Sequence, residues 1–357
     1  MADSNETLQG LLLTRQWIES DSGTELIFWF ATSNGPLRAR VTNQESVCFI
    51  PASTSEKVYR LFSRIDGWRL GNTQLKNFRL ENVSALYCRS QRQLFDLRDR
   101  LARESIPVLE ADVKPTDRYL MERFITGSAT ISGRLTGINA VREMLNPRME
   151  ACESRPALTT VSIDIETDYK AEQLYSIALH SDSESTVYMI RHGNNSAPSG
   201  QLEMGDGINL QLNYCSDVRE LLQQFLARIQ QIDPDIYIGW NIVNFDLRCL
   251  QKFADGAAVP LTMGRGGSEI GWRQSRDSSE RFYAVVPGRA VLDGIELMRT
   301  ATYQFENFSL EHVARKLLGR GKLVDDVDKR GAEITELFEN DQPALARYNL
   351  EDCRLVW

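Results

Sequence analysis

Val161-Ser-Ile-Asp-Ile-Glu-Thr167 is the stretch on which the reading of this chain turns. Successive side chains of a strand alternate faces. Val161, Ile163 and Ile165 therefore project to one side, and Ser162, Asp164 and Glu166 to the other. One face suits a hydrophobic core. The other sets two carboxylates one side-chain period apart among β-branched neighbours. Crowded carboxylates repel and are costly to bury unpaired. A divalent cation that prefers oxygen ligands, Mg²⁺ or Mn²⁺, relieves both problems. On this segment alone, a solvated strand edge with two chance acids also explains the pattern.

The 357 residues exceed one ordinary core, so two domains are expected. With 42% hydrophobic and 25% charged residues, the composition is that of a globular protein. No apolar run approaches a membrane span, and the polar start, Met1 to Gly10, lacks a signal-peptide core. A cytoplasmic location with no membrane partner is the expectation. Cys48, Cys88, Cys152, Cys215, Cys249 and Cys353 are scattered without a Cys-x-x-Cys pair, which argues against zinc and against a disulfide framework. Three histidines, His180, His192 and His312, make a histidine-based centre improbable. The net charge of −8 argues against a general nucleic-acid binder but leaves room for an enzyme holding a nucleic-acid end in a small metal-filled cleft.

The first 150 residues alternate like strands at Leu11–Trp17, Glu25–Phe30 and Leu37–Val41, with Asn34-Gly35 as a hairpin signal. Ser53 or Ser55 is placed to cap a helix through Val58, Leu61 and Phe62. Arg89–Glu104 reads as an amphipathic helix, Pro107–Glu110 as a short strand, Asp117–Phe124 as a helix and Ile125–Leu135 as a strand. Trp17, Phe28, Trp29 and Phe30 sit inside strand patterns and are assigned to the core rather than to a stacking surface. The polar segment Asn146–Pro156 holds two prolines and is read as the linker. The domains are then a β-rich one over residues 1–152 and a second over 153–357.

In the second domain, the carboxylate strand leads into strands at Leu174–Leu179 and Thr186–Ile190, and then a Gly, Ser and Asn-rich loop over Gly193–Gly207. Ser216 is the expected cap of a helix carrying Val218, Leu221, Leu222, Phe225 and Ile229, which ends at Asp233-Pro234. A buried strand, Ile236–Ile238, precedes a helix with Phe245, Leu247 and Leu250. Ile270–Val286 suggests a long hairpin and Arg289–Leu292 a strand. Ser309 caps a helix to Leu318, and a last helix spans Gln342–Trp357. This order predicts an α/β domain with a mixed sheet. The Gly264–Gly267 stretch lacks the Gly-Lys-Ser/Thr of a phosphate loop.

Three further acids stand out. Asp246, in Gly239-Trp-Asn-Ile-Val-Asn-Phe-Asp246, lies just past a buried strand, where open α/β sheets place functional groups. Asp352 follows Tyr348 by four residues in Tyr348-Asn-Leu-Glu-Asp352, one face of a helix. Asp293 ends a strand and is read as an N-cap.

A strand Asp-x-Glu, then Asn-x-x-x-Phe-Asp, then Tyr-x-x-x-Asp, in this order, resembles the three motifs of DEDD-type 3′–5′ exonucleases, in the tyrosine-bearing variety. Gly239-Trp-Asn241 and Phe308-Ser-Leu-Glu-His-Val313 resemble the family B DNA polymerase version. Ala111–Ile125 looks like the segment that precedes the exonuclease domain in bacterial members of that family. The resemblance spans nearly the whole chain. It implies an α/β fold: a mixed-sheet, RNase H-like (DEDD) exonuclease domain preceded by a β-rich mixed N-terminal domain. It further implies that Asp164, Glu166, Asp246 and Asp352 bind two Mg²⁺ or Mn²⁺ ions, and that Tyr348 hydrogen-bonds the attacking water. Asn241 and Phe245 would hold an unpaired 3′ end; Phe245 is open to reading as a stacking residue or as core. The implied hairpin would help part primer from template.

The family's polymerase motifs do not occur before Trp357. The chain is therefore expected to be the N-terminal and exonuclease part of a longer polymerase, without palm, fingers and thumb. The expected function is proofreading hydrolysis of DNA in replication and repair. Single-stranded or frayed DNA, the rest of the polymerase chain and, through it, a replication clamp are the expected partners. The alternatives are a non-catalytic structural or DNA-positioning module and an RNA-trimming exonuclease.

Overall fold

Strand-forming alternation in the first part of the chain is realised as paired strands in two larger sheets. The protein is described from a computed structural model that covers residues 4–20, 23–138, 141–193, 198–204, 207–275, 278, 281–320 and 330–357. It divides into two units, Met1–Ala157 and Leu158–Trp357.

The first unit contains β1 (Ser4–Ser20), β2 (Gly23–Thr32), β3 (Gly35–Gln44), β4 (Ser46–Pro51), α1 (Ser55–Leu61), β5 (Trp68–Lys76), β6 (Asn82–Cys88), α2 (Gln91–Arg103), α3 (Pro115–Met121), β7 (Ser128–Ile138), β8 (Val141–Leu145) and β9 (Arg148–Ala151). One sheet runs β1-β2-β3-β8-β7-β9, and pairing of β7 with β1 closes it into a ring. Phe28 and Phe30 fill its interior beside Tyr119, while Trp29, on the alternate face, packs with Ile27 and Val141. The second sheet, β4-β6-β5, is backed by Val58 of α1 and by Leu94, Leu97 and Leu101 of α2.

Several local expectations are corrected here. Neither Ser53 nor Ser55 caps α1. A single 3₁₀ turn, Ala52–Thr54, leads into the helix, and the Ser55 hydroxyl bonds that of Ser84 at 3.0 Å instead. Residues 107–110 form one bridge, Leu109 to Phe49, rather than a strand. The segment read as a linker contains β9, because Met149 is apolar, buried and paired with Ile131 of β7.

The second unit holds β10 (Thr160–Thr167), β11 (Leu174–His180), β12 (Ser185–Ile190), β13 (Gly200–Glu203), β14 (Asn209–Cys215), α4 (Val218–Ile232), β15 (Ile236–Gly239), α5 (Asp246–Ala257), β16 (Gly271–Gln274), β17 (Phe282–Val285), β18 (Ala290–Asp293), α6 (Gly294–Thr300), α7 (Leu310–Leu318), α8 (Arg330–Asn340) and α9 (Gln342–Val356). Its sheet order is β13-β14-β12-β11-β10-β15-β18. The meander β10-β11-β12 is antiparallel, whereas β15 pairs parallel with both β10 and β18. Val161, Ile163 and Ile165 face a core built with α4 and α5. The opposite face of the sheet packs Ala178, Val187 and Met189 against α8 and α9. The carboxylate strand is thus central and covered on both faces.

The 193–207 loop includes β13, which pairs with β14; residues 194–197 and 205–206 lie outside the described residues. β16 and β17 form the expected hairpin, with residues 276–277 and 279–280 likewise outside them. Asp217, not Ser216, caps α4 by accepting from the Glu220 amide at 2.9 Å. The Ser216 hydroxyl donates to the Glu220 carboxylate at 2.6 Å.

The start of β15 is pinned by buried charge. Arg265 donates to Asp233 at 3.0 Å, Asp235 at 2.8 Å and the Gly288 carbonyl at 2.8 Å; Arg289 meets Asp233 at 2.8 Å and donates to the Met263 carbonyl at 2.9 Å. Asp235 in turn accepts from the Thr159 amide at 2.9 Å, just ahead of β10. Removing one partner of a buried ion pair strands the other charge. Arg265→Leu is expected to lower stability by about 3–5 kcal/mol in urea unfolding of the chain, whereas an exposed pair such as Arg60–Glu56 contributes less than about 1 kcal/mol.

Candidate active site

β10 carries Asp164 and Glu166 on its α9-facing side, and α9 brings Tyr348 and Asp352, one helical turn apart, against it. Each of Asp164, Glu166 and Asp352 offers a carboxylate oxygen, and these oxygens lie within 4.8 Å of one another. Glu166 and Asp352 are buried; Asp164 is partly so.

The route to Asp246 is set by a tight turn. β15 ends at Gly239, where a Cβ would sit 2.9 Å from the Ile163 carbonyl oxygen and 2.8 Å from Ile242, so no side chain fits. Asn241 follows with φ +60°, a left-handed conformation that asparagine tolerates better than most residues. The Trp240 indole donates to the Phe308 carbonyl at 2.9 Å, and its ring fills the space a side chain at Gly294 would need. Asp293 caps α6 through the Ile295 amide at 3.0 Å, as expected. It also accepts from the Val243 amide at 3.3 Å, tying the turn to β18.

Asp246 then opens α5. Its carboxylate accepts from the Ile165 amide at 3.2 Å, on β10 past the last residue paired with β15. It is 2% exposed, and burial pushes its carboxyl well above the usual range; hydrogen bonds from backbone amides oppose the shift, and the charges of Asp293 and Asp352 add to it.

All seven residues singled out in the sequence line one cleft of about 510 Å³: Asp164, Glu166, Asn241, Phe245, Asp246, Tyr348 and Asp352. Three carboxylates come into mutual ligand range, and Asp246 stands in the cleft wall outside that group. Phe245 is 41% exposed, so the core alternative for it is removed. The sequence reading missed Asn349, buried on α9 and bonded to Asp164, although it lies inside the quoted Tyr348–Asp352 motif. It also missed Tyr169 and, as a side chain of the cleft, Phe308.

The donor set fits a hard divalent cation. It consists of carboxylate oxygens with neither histidine nor cysteine, as Mg²⁺ and Mn²⁺ prefer. Oxygens bound to one Mg²⁺ at ~2.1 Å stand at most ~4.2 Å apart, so small side-chain adjustments close the observed spread.

A mixed sheet with a carboxylate pair on its central strand, met by acids from the following α/β turn and from the last helix, defines an RNase H-like exonuclease domain. The comparisons with known proteins agree. The model for the exonuclease domain of DNA polymerase family B matches residues 106–313, more than half of the chain. Those for the DNA polymerase II insertion and N-terminal domains match 46–106 and 10–45. The chain belongs to the family B DNA polymerases.

It is 42% identical to DNA polymerase II of Escherichia coli over 97% of its own length and 43% of that relative's. It is 27% identical to a DNA polymerase of Thermococcus sp. (strain 9oN-7), over 61% of this chain and 26% of the other. The family B polymerase structure from Pyrobaculum calidifontis superposes with a TM-score of 0.75 at 16% identity, covering 98% of this chain and 44% of that one, and shows the same fold. The chain spans less than half the length of these relatives.

The raised Asp246 carboxyl makes a testable linkage. A folded-state pKa above the unfolded value gives stability that is present at low pH and lost as pH rises through the raised value. Without divalent ions, the wild-type melting temperature should fall as pH climbs from about 4 past neutrality, and Asp246→Asn should flatten part of that fall. Melting curves of both proteins across that range, in chelator, check it; parallel profiles would contradict it.

Proposed function

We propose that this chain hydrolyses DNA from a 3′ end, acting on single-stranded or frayed termini, as the proofreading part of a longer DNA polymerase II. The supporting observation is the charge of the cleft. Five acids line it, Asp164, Glu166, Asp168, Asp246 and Asp352, and no lysine or arginine is among its described lining residues. Such a surface repels a phosphodiester unless cations intervene.

Asp164, Glu166 and Asp352 hold the cations, with Asp246 contributing from the wall. When bound there, two Mg²⁺ or Mn²⁺ ions would lower the pKa of a water and offset negative charge on the phosphodiester. The Tyr348 hydroxyl orients the attacking water. Asn241 contacts the terminal nucleotide, and the exposed ring of Phe245 stacks on its base; such stacking contributes about 1–3 kcal/mol and is indifferent to sequence. With the ends of the acids fixed by β10, α5 and α9, the scissile phosphate meets its partners without reorganisation of the protein.

The whole protein, on this reading, copies DNA through the part of the family's length that this chain does not span. It works in the cytoplasm during replication and repair, and meets a replication clamp through that other part. Among the described residues, no helix is long and apolar enough to cross a membrane.

The test is release of nucleotides from labelled single strands with and without Mg²⁺. Asp164→Ala and Asp352→Ala should each lose more than about a hundredfold in rate, and Tyr348→Phe should lose less, with far-UV circular dichroism unchanged. Undiminished release by both alanine variants would remove the proposed site. A preference for RNA over the matched DNA strand would overturn the substrate assignment.

A further inference from the structure

Asn349 lies on α9 next to Tyr348, and it is fully buried. Its side-chain Nδ2 donates to Asp164 Oδ2 at 2.7 Å, and its Oδ1 accepts from the Ser176 hydroxyl at 2.7 Å. The direction of this relay is fixed by chemistry. An ionised carboxylate only accepts, so the amide must turn its NH₂ group to Asp164. Its carbonyl oxygen then faces Ser176, which must donate. The three residues stand on β11, α9 and β10, and 185 positions separate Asn349 from Asp164.

We propose that Asn349 is a positioning residue that sets the rotation of the Asp164 carboxylate and thereby the cation affinity of the cleft, with Ser176 holding the amide in place. The inference rests on the cation-binding reading of that cleft. The residue type carries the argument. Asp164 stands with Glu166 and Asp352 in a cluster whose use depends on its negative charge. A lysine or arginine at position 349 would also hold Asp164, but its positive charge would offset the field that attracts a cation. An amide offers a directed donor without net charge. It bonds one oxygen of Asp164 and brings no charge of its own to the cluster. A hydroxyl at Ser176 matters because a buried amide with an unmet carbonyl would be free to rotate toward other donors. Partners that orient ligands from behind typically alter metal affinity by about 10–100-fold.

The experiment measures Mn²⁺ binding to the whole chain by the free-ion electron paramagnetic resonance signal, alongside nucleotide release as a function of Mg²⁺. The proteins are wild type, Asn349→Leu, Ser176→Ala, the double variant and Asp164→Ala. Leucine keeps the branching and heavy-atom count of asparagine without its polar atoms; if its bulkier methyl groups prevent folding, Asn349→Ser carries the same test. Asn349→Leu should weaken Mn²⁺ binding about 10–100-fold. It should raise the Mg²⁺ needed for half-maximal release by a similar factor, with most of the rate recovered at saturating metal. A purely structural role would lower the saturated rate instead and leave the metal requirement in place. Ser176→Ala should weaken binding less, and add nothing when Asn349 is already leucine, since its effect passes through the amide. A folded Asn349→Leu protein that binds Mn²⁺ within about twofold of wild type, while Asp164→Ala has lost binding, would overturn the proposal and leave the cleft assignment intact. Unchanged binding in Asp164→Ala would overturn the cleft assignment itself, and the proposal with it.

Discussion

Crowding of like charge at the end of β10 is the constraint around which the second unit is built. Asp164, Glu166 and Asp352 bring carboxylate oxygens within 4.8 Å of each other, and Asp246 is buried beside them. Two unit charges at such a separation repel by roughly 1 kcal/mol in water and several times that where water is scarce. Among the described residues that line the cleft there is no lysine or arginine. Two neutral donors meet these acids: the Ile165 amide bonds Asp246 and the Asn349 side chain bonds Asp164. They satisfy lone pairs without adding a formal charge. A site arranged this way is less stable than the same fold with its acids neutralised, and that deficit is what favours binding of a cation.

The four-residue strand β15 shows how the deficit is contained. Its two ends have opposite electrostatic character. Before it, Arg265 and Arg289 cross-link Asp233, Asp235 and several carbonyls, so charge there is matched and rigid. After it, Gly239 permits an approach of backbone to backbone that admits no side chain, and the chain turns into Asp246. Asp293 on the adjacent strand takes the Val243 amide of the same turn and the Ile295 amide of α6. The matched end fixes where the strand begins at Ile236, and Asp246 follows after the strand and one tight turn. The position of Asp246 thus follows from an ion-pair network at the other end of its strand.

Much of this was legible in the sequence. The alternation around Asp164 placed its two carboxylates on one face, and the four-residue spacing of Tyr348 and Asp352 placed them on one side of a helix. Both readings depend only on the local periodicities of strand and helix. Features that depend on non-local pairing were not legible. β9 was taken for linker because the surrounding segment, Asn146–Pro156, is polar and holds two prolines, and only its pairing with β7 makes it a strand. Ser216 and Asp217 are equally good caps by type; Asp217 takes the Glu220 amide, and Ser216 donates to the Glu220 carboxylate instead. Asn349 escaped notice because a lone asparagine on a helix carries no pattern of its own. Its meaning comes from Asp164 and Ser176, both more than 170 positions away.

That separation has a consequence for how the site comes into being. The meander β10-β11-β12 is local and forms its pairings over short loops, so Asp164 and Glu166 acquire their strand geometry from near neighbours. The face they share with Ala178, Val187 and Met189 is closed by α9, the last element of the chain. Closing a long loop is entropically costly and is offset only when the apolar contacts of Leu345, Ala346 and Leu350 form together. Those same contacts drive Asp352 toward two existing carboxylates. Hydrophobic burial along α9 therefore supplies the free energy that assembles the like-charged cluster. The apolar residues on that helix serve the site as directly as the acids do: without them, repulsion would leave Asp352 in solvent.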